Sequence, residues 1–163
     1  MTALRWLMRI VLALTAVVAL LALVSRFADG PLVGPIPGGP LVGGEEVSEP
    51  VRSWAFVEDV GEIQLQLASQ TTSRTTWILL LEGQAYVPCS LGFPPGKSWH
   101  HDALADGRAT LRIEGKRYPV LLTKLDDAAV QQMEGMVRAE VTRKYGEMPP
   151  SDAGVWLFRV TSR

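Results

Sequence analysis

Residues 86–120 read YVPCSLGFPPGKSWHHDALADGRATLRIEGKRYPV, and the fold depends on the pattern in this stretch. Two short apolar runs, Ala85–Val87 and Ala109–Ile113, have the character of strands and enclose a loop with adjacent prolines. A short helix follows the loop, with Ser98 at its N-cap and an end at Asp106–Gly107. Because binding residues concentrate on loops at the mouth of a small barrel, we expect any functional site to lie in this stretch.

Alternation of apolar and polar residues predicts further strands on both sides of this stretch. In Ile63–Leu67 every second side chain is a large aliphatic one, which is the period of a half-buried strand. The predicted strands are Ile63–Leu67, Thr75–Leu81, Ala85–Val87, Ala109–Ile113, Tyr118–Leu125 and Val155–Val160. The predicted fold class is mainly β with α: a six-stranded antiparallel barrel with one short and one long helix, preceded by a transmembrane helix.

The long helix is predicted between Asp127 and Tyr145. Asp126 or Asp127 can cap its start, and a glycine such as Gly146 commonly ends a helix. Four apolar residues recur on one face at helical spacing: Val130, Met133, Val137 and Val141. We expect this face to pack against the barrel.

Residues 1–28 are predicted to form an N-terminal membrane anchor. Within them, residues 6–24 carry no charge apart from Arg9, and about 20 apolar residues are enough to cross a bilayer. A cleaved secretory signal is the alternative, but no small-residue cleavage motif follows the apolar run. Because Arg5 and Arg9 lie at its start, the positive-inside rule predicts a cytoplasmic N-terminus. We therefore expect a single-pass protein of the cell membrane whose domain is extracytoplasmic.

Residues 29–50 are predicted to form a linker to a domain that spans residues 51–163. Most of the linker reads GPLVGPIPGGPLVGG, in which glycine and proline disfavour both helix and sheet. One interpretation is a tether that separates the domain from the bilayer. The alternative is that its apolar residues pack on a protein partner or on the membrane surface: Leu32, Val33, Ile36, Leu41 and Val42.

Composition argues against several classes of function. A formal net charge of −1 disfavours nucleic-acid binding, which requires a basic surface. A single cysteine, Cys89, cannot form an internal disulfide or a thiolate cage for a metal, and is expected to be a small buried residue. His100 and His101 would point about 100° apart on a helix, so they are poorly placed to bind one ion. We expect no metal site.

Three segments resemble a known family. Ser73–Thr76 is similar to an Arg-Thr pair at the start of a barrel strand, Lys97–Leu104 to a helix that contains tryptophan, and Thr110–Val120 to the hairpin that follows that helix. The family is that of the split-barrel flavoproteins related to pyridoxamine phosphate oxidase. Within it, the likeness is closest to the deazaflavin-dependent nitroreductase branch.

The resemblance implies FMN or deazaflavin as a cofactor and an oxidoreductase activity, although it identifies no catalytic residue. Arg74 and Lys97 would hold the cofactor phosphate, and Trp99 would border the ring. From the residues alone, the two cations could equally be surface charges and Trp99 a core residue. The cofactor-binding residues that the resemblance implies are Arg74, Thr75, Thr76, Lys97, Ser98 and Trp99.

Two classes of function therefore remain open. The first is a flavin- or deazaflavin-dependent oxidoreductase, in which the cofactor performs the hydride transfer. The second is a non-catalytic accessory or interaction module that keeps the barrel without the cofactor. An extracytoplasmic domain would be separated from cytoplasmic reductants, which favours the second class. Phe93 could cover the barrel or contact a protein partner, and a homodimer is compatible with the sequence.

Overall fold

The computed structural model describes residues 2–31, 36–92, 94–147 and 154–163. Within these residues there are three α-helices, one 3-10 helix at Ala55–Val57 and eight β-strands. The helices are α1 (Thr2–Ser25), α2 (Trp99–Ala105) and α3 (Asp127–Tyr145). The strands are β1 (Glu45–Glu46), β2 (Glu62–Leu67), β3 (Arg74–Trp77), β4 (Leu79–Leu81), β5 (Gln84–Ser90), β6 (Arg108–Ile113), β7 (Lys116–Lys124) and β8 (Val155–Ser162).

Seven of the described strands form a barrel. Their order is β3-β2-β6-β7-β8-β5-β4, and every neighbouring pair is antiparallel. β3 and β4 are consecutive in the chain, so the two ends of this order meet and the barrel is nearly closed. Paired residues such as Leu65 and Leu111, or Val87 and Phe158, are completely buried. The predicted antiparallel barrel with helices is confirmed.

The predicted count of six strands differs from the structure in two places. The predicted strand Thr75–Leu81 is divided at Ile78, because Ile78 and Leu79 are both fully buried and the alternation of faces fails there. The Ile78 carbonyl accepts hydrogen bonds from Lys144 Nζ at 3.0 Å and from the Tyr145 hydroxyl at 3.2 Å. The second difference is β1, a two-residue strand that pairs in parallel with the start of β7.

Two tight turns set the register of the hairpins. Glu82 and Gly83 join β4 to β5, and Glu114 and Gly115 join β6 to β7. All four residues have positive φ, between 48° and 81°. Positive φ at both central residues is characteristic of the type I′ turn, whose twist matches that of paired strands. Glycine occupies the second position because it adopts this conformation without strain.

Two apolar clusters stabilise the domain. The first fills the barrel and includes Trp99 and Ala103, through which α2 packs against the barrel interior. The second lies between the barrel and α3, where the four residues of the predicted apolar face contact Leu157 and its neighbours. Asp126 caps α3 by accepting a hydrogen bond from the Ala129 amide at 2.7 Å. The predicted long helix and its packing face are confirmed.

Helix α1 differs from the other helices because its apolar side chains are exposed. Trp6 is 63% exposed and Leu20 is 59% exposed. The segment Leu4–Ser25 is long and apolar enough to cross a membrane, which agrees with the predicted anchor in length and composition. The spanning role and the orientation remain predictions.

The predicted linker is bonded to the barrel. Residues 26–31 and 36–47, which comprise the end of the predicted anchor and most of the described linker, are called the strap below. The Gly38 and Ser73 backbones exchange two hydrogen bonds of 2.9 and 3.2 Å, and Ser73 Oγ donates to the Gly39 carbonyl at 2.6 Å. The Leu41 amide donates to Gln66 Oε1 at 2.8 Å, and the Leu41 side chain is buried. A freely moving tether therefore does not describe this segment.

Asp29 fixes the strap at a further point. Its carboxylate accepts hydrogen bonds from the amides of Val42 and Gly43, at 2.9 and 3.1 Å, and pairs with Arg112 Nη1 at 2.7 Å. Desolvation opposes ionisation here, but the bonds from Gly43 and Val42 and the charge of Arg112 together hold the pKa of Asp29 below its ordinary value. The carboxylate thus joins two segments of the strap to β6.

The apolar residues of the predicted linker have different surroundings. Leu41 packs on the barrel of its own chain, whereas Val42 is 66% exposed. Leu32 and Val33 lie outside the described residues. Contact of these residues with a partner or with the bilayer stays a prediction.

Candidate functional site

The predicted site residues lie on two neighbouring elements. Arg74, Thr75 and Thr76 begin β3, while Lys97 and Ser98 lead into α2, whose first residue is Trp99. The structure brings Arg74 and Trp99 together: the guanidinium carbon lies 5.8 Å from the centroid of the indole ring. This is the range of a cation–π interaction.

A chain of hydrogen bonds connects Arg74 to helix α2. Arg74 Nη2 donates to Gln70 Oε1, and Gln70 Nε2 donates to Asp102 Oδ2 at 2.7 Å. Burial lowers the pKa of Arg74, and the negative charge of Asp102 opposes this effect. Arg74 Nε is buried and has no hydrogen-bond partner among the described residues. The guanidinium is therefore engaged by Gln70 and Trp99 and keeps one buried N–H group without a partner among the described residues.

Trp99 is a core residue in this structure. It is 5% exposed and belongs to the cluster that fills the barrel. Its ring centroid lies 5.4 Å from that of Phe158, and Arg74 covers one face. The alternative that the sequence left open, a tryptophan that anchors the short helix in the core, describes this position.

Lys97 and Cys89 lie near the same end of the barrel. The Lys97 ammonium donates a hydrogen bond to the Ser90 carbonyl. Burial raises the pKa of the Cys89 thiol, while the positive charges of Lys97 and Arg74 act in the opposite direction. Both predicted phosphate cations are thus close enough to Cys89 to influence its ionisation. Cys89 is buried, as the sequence predicted for a free cysteine.

The three hydroxyl residues of the predicted site lie on β3 and directly before α2. Ser98 occupies the N-cap position of α2 but makes no side-chain capping hydrogen bond. Thr75 and Thr76 are half-buried on β3, and Thr75 lines a surface pocket together with Gln64 and Arg112. Lys97, Ser98 and Trp99 line neither this pocket nor the one described next. Neither of these two pockets therefore gathers the six predicted residues.

Two shallow surface pockets lie beside the strap. One has a volume of about 310 Å³ and includes Thr75 and Arg112. The other, of about 330 Å³, lies between the end of α1 and the β2–β3 turn, and Arg26 and Pro40 form part of its wall. Both are near the lower limit of the usual size of ligand sites.

Sequence reasoning missed an aromatic cluster around His100. His100 is 6% exposed, and its ring lies edge-on to Trp156 at a centroid distance of 5.1 Å. Burial lowers the pKa of His100, as do the charges of His101 and Lys97. The period of two in β8 would have placed Trp156 on the same face as Phe158 and thus near this end of the barrel.

The described residues contain no group of three or more His, Cys, Asp or Glu side chains that could hold a metal ion. His100 and His101 have ring centroids 4.2 Å apart and contact Trp156. His100 Nδ1 has no hydrogen-bond partner among the described residues. In this structure the two imidazoles belong to an aromatic cluster.

No family model matches this sequence, and no curated protein matches it. The chain is similar in structure to a conserved hypothetical protein, Rv2991, from Mycobacterium tuberculosis, with 13% identity over 73% of this chain and 86% of that one, at a TM-score of 0.50. It is also similar to a Listeria innocua protein described as a pyridoxamine 5′-phosphate oxidase, with 10% identity over 66% of this chain and 88% of that one, at 0.46.

A third similar structure is a NimC/NimA family protein from Clostridium acetobutylicum, with 14% identity over 66% of this chain and 75% of that one, at a TM-score of 0.45. At such low identities the similarity concerns the fold alone. The similarity in fold agrees with the predicted barrel, while membership of the flavoprotein family and of its deazaflavin branch stays a prediction.

The arrangement of the residues does not fit a flavin stacked on Trp99. Arg74 lies over this ring, Phe158 is beside it, and only 5% of the side chain is exposed. Stacking would require Trp99 to leave the core or Arg74 to break its bond to Gln70.

Proposed function

We propose that this protein is a membrane-anchored split-barrel module with a non-catalytic, accessory function. The observation that carries the proposal is the internal engagement of Arg74, whose guanidinium covers buried Trp99 and bonds to Gln70. A cation held in this way stabilises the junction between β3 and α2. It is poorly placed to bind the phosphate of a soluble cofactor.

The strap supports the accessory role. Because Asp29, Leu41 and Gly38 are bonded to the barrel, the domain is held close to the end of α1. An enzyme that exchanges soluble substrates does not require a fixed position at the membrane. An accessory module that presents one surface to a membrane-bound partner benefits from one, because fixing the orientation reduces the entropy lost on binding.

A flavin-binding oxidoreductase is the second candidate, and one observation favours it. The positive charges of Arg74 and Lys97 both act on Cys89. Asp102 is the carboxylate whose charge acts on Arg74. Two cations facing one carboxylate leave an excess of positive charge that an anion could neutralise. Arg74 Nε would be one available donor, and a bound flavin would supply the hydride chemistry.

Substitution of Arg74 by methionine tests the proposal in the absence of any cofactor. If Arg74 is structural, Arg74→Met removes a charged hydrogen bond and a cation–π contact, and the free energy of unfolding falls by about 1–3 kcal/mol. Urea unfolding of the full chain in detergent, followed by tryptophan fluorescence, measures this difference. The matched control is Arg108→Met, because Arg108 is exposed and pairs with Asp106 at the surface; its effect should stay within about 0.5 kcal/mol.

The opposite result would support the second candidate. If Arg74→Met leaves the stability of the cofactor-free protein unchanged, the guanidinium is not required for the fold. The buried position of its charge would then need a ligand to explain it.

A further inference from the structure

The second surface pocket lies where helix α1 meets the barrel. It has a volume of about 330 Å³, and its wall contains one cation, two hydroxyls, two amides and a proline. The lining residues are Arg26, Pro40, Gln66, Gln70, Thr71 and Thr72. No carboxylate is among them, so the pocket is suited to an anion rather than a cation.

The position of this pocket is set by α1. Residues 6–24 extend over roughly 28 Å at 1.5 Å per residue, close to the thickness of the hydrocarbon core of a bilayer. The helix ends at Ser25, so Arg26 follows directly after the predicted span. Phe27, beside it, is 85% exposed, as is usual for an aromatic residue at the membrane interface. The pocket therefore opens at the level of the lipid headgroups.

The charge of Arg26 is not neutralised by its neighbours. The nearest acidic residue in sequence, Asp29, is engaged by Arg112 at 2.7 Å and by the Val42 amide. Among the described residues, none forms an ion pair or a side-chain hydrogen bond with Arg26. Only one wall of the pocket thus carries a net charge, and that charge is positive.

The polar groups of the remaining walls divide into two kinds. The amides of Gln66 and Gln70 are already bonded, to Leu41 and Asp102 among others. The hydroxyls of Thr71 and Thr72 have no hydrogen-bond partner among the residues that the structure describes. A guanidinium and two adjacent hydroxyls are typical donors to a phosphate group.

We propose that this pocket binds the phosphate of an anionic phospholipid headgroup through Arg26, Thr71 and Thr72. The proposal rests on the membrane anchoring proposed above and is independent of the accessory role. A headgroup bound at this point would join the bilayer to the β2–β3 turn. The headgroup would then contact both the strap, through Arg26 and Pro40, and the β2–β3 turn.

Electron spin resonance on the full chain in lipid nanodiscs tests the proposal. The discs contain phosphatidylcholine with a small proportion of spin-labelled phosphatidylglycerol, and the immobilised fraction of the label reports binding. Arg26→Gln should weaken the binding about tenfold, as expected for the loss of a charged hydrogen-bond partner. The double variant Thr71→Val/Thr72→Val keeps the charge but removes the hydroxyls, and should weaken binding roughly threefold or more. Thr142→Val, on α3, is the control and should have no effect.

Two results would overturn the proposal. If the double threonine variant binds like the wild type, Arg26 attracts lipid as an ordinary surface charge and the pocket is not a site. Inorganic phosphate is also titrated onto the protein in detergent. If it binds as tightly as the labelled lipid does, and Arg26→Gln abolishes that binding, the pocket binds a soluble anion. Resistance of the wild-type protein to alkaline extraction from membranes tests the anchor separately. If the protein is extracted, the anchoring itself has failed.

Discussion

At the scale of single residues, Lys144 is a buried charged side chain that connects several segments of the domain. Its side chain is 3% exposed, and Nζ donates to the carbonyls of Val57, Val60 and Ile78 at 2.8, 3.0 and 3.0 Å. Burial lowers the pKa of Lys144, and the charge of Glu140 at 3.7 Å acts against this shift. The ammonium thus joins α3 to the segment where the barrel strand is interrupted.

Replacement of Lys144 by methionine should therefore be strongly destabilising. It leaves buried carbonyls without a donor, and we expect a loss of about 2–4 kcal/mol in the free energy of unfolding. Arg138→Met on the same helix is the control, because Arg138 is 75% exposed and its pair with Glu134 contributes little. Chemical unfolding of the full chain measures both. Similar small effects of the two substitutions would contradict the role assigned to Lys144.

The residue scale also shows how far the site could be predicted. Arg74 and Trp99 lie together because β3 and the start of α2 meet in the barrel that the alternation predicts, while the role of Arg74, Lys97 and Trp99 in cofactor binding stays a prediction. The direction in which Arg74 points could not be predicted. It depends on Gln70 and Asp102, whose own positions are set by the β2–β3 turn and by the packing of α2.

At the scale of elements, the turns and α3 offer a matched pair of glycines. Gly115 has φ +81° in the β6–β7 turn, whereas Gly135 lies inside α3, and an added methyl group would meet no atom within 4 Å at either position. Gly115→Ala should destabilise the protein by about 1 kcal/mol, because alanine is strained at positive φ. Gly135→Ala should stabilise it by about 0.5–1 kcal/mol, because alanine favours the helix. Thermal unfolding gives both signs, and equal signs would contradict the described backbone.

The strap yields a second prediction at this scale. Asp29→Asn removes the charge that pairs with Arg112, and we expect the amides of Val42 and Gly43 to exchange hydrogen for deuterium about ten times faster. Glu46→Gln is the control, because its ion pair with Arg117 is more exposed and lies further along the chain. Unchanged protection in Asp29→Asn would mean that the strap is held without this carboxylate.

The parts of the fold that could be predicted are the helices and strands that depend on local sequence. Hairpins and the long helix follow from local patterns, such as the Glu-Gly turns and the apolar face of Asp127–Tyr145. The break at Ile78 and the docking of the strap depend on partners distant in sequence. A glycine- and proline-rich segment has no local preference of its own, so its structure is decided by acceptors such as Gln66 on the barrel.

At the scale of the whole molecule, an exposed apolar helix, a bonded strap and a barrel follow one another. Because the strap is bonded to the barrel, the barrel is held near the end of α1 and thus near the predicted membrane surface. The predicted orientation places the barrel outside the cytoplasm, away from deazaflavin and nicotinamide reductants. Both features agree with an accessory module rather than with a soluble reductase.

Flavin binding is the measurement that tests this account most directly. The full chain in nanodiscs is titrated with FMN and with deazaflavin while tryptophan fluorescence is followed. The account predicts no saturable quenching at concentrations up to about 1 mM, which corresponds to a binding free energy weaker than about −4 kcal/mol. Saturable quenching that both Arg74→Ala and Lys97→Ala weaken by roughly ten- to a hundredfold would contradict it, and would establish the site as a flavin phosphate site.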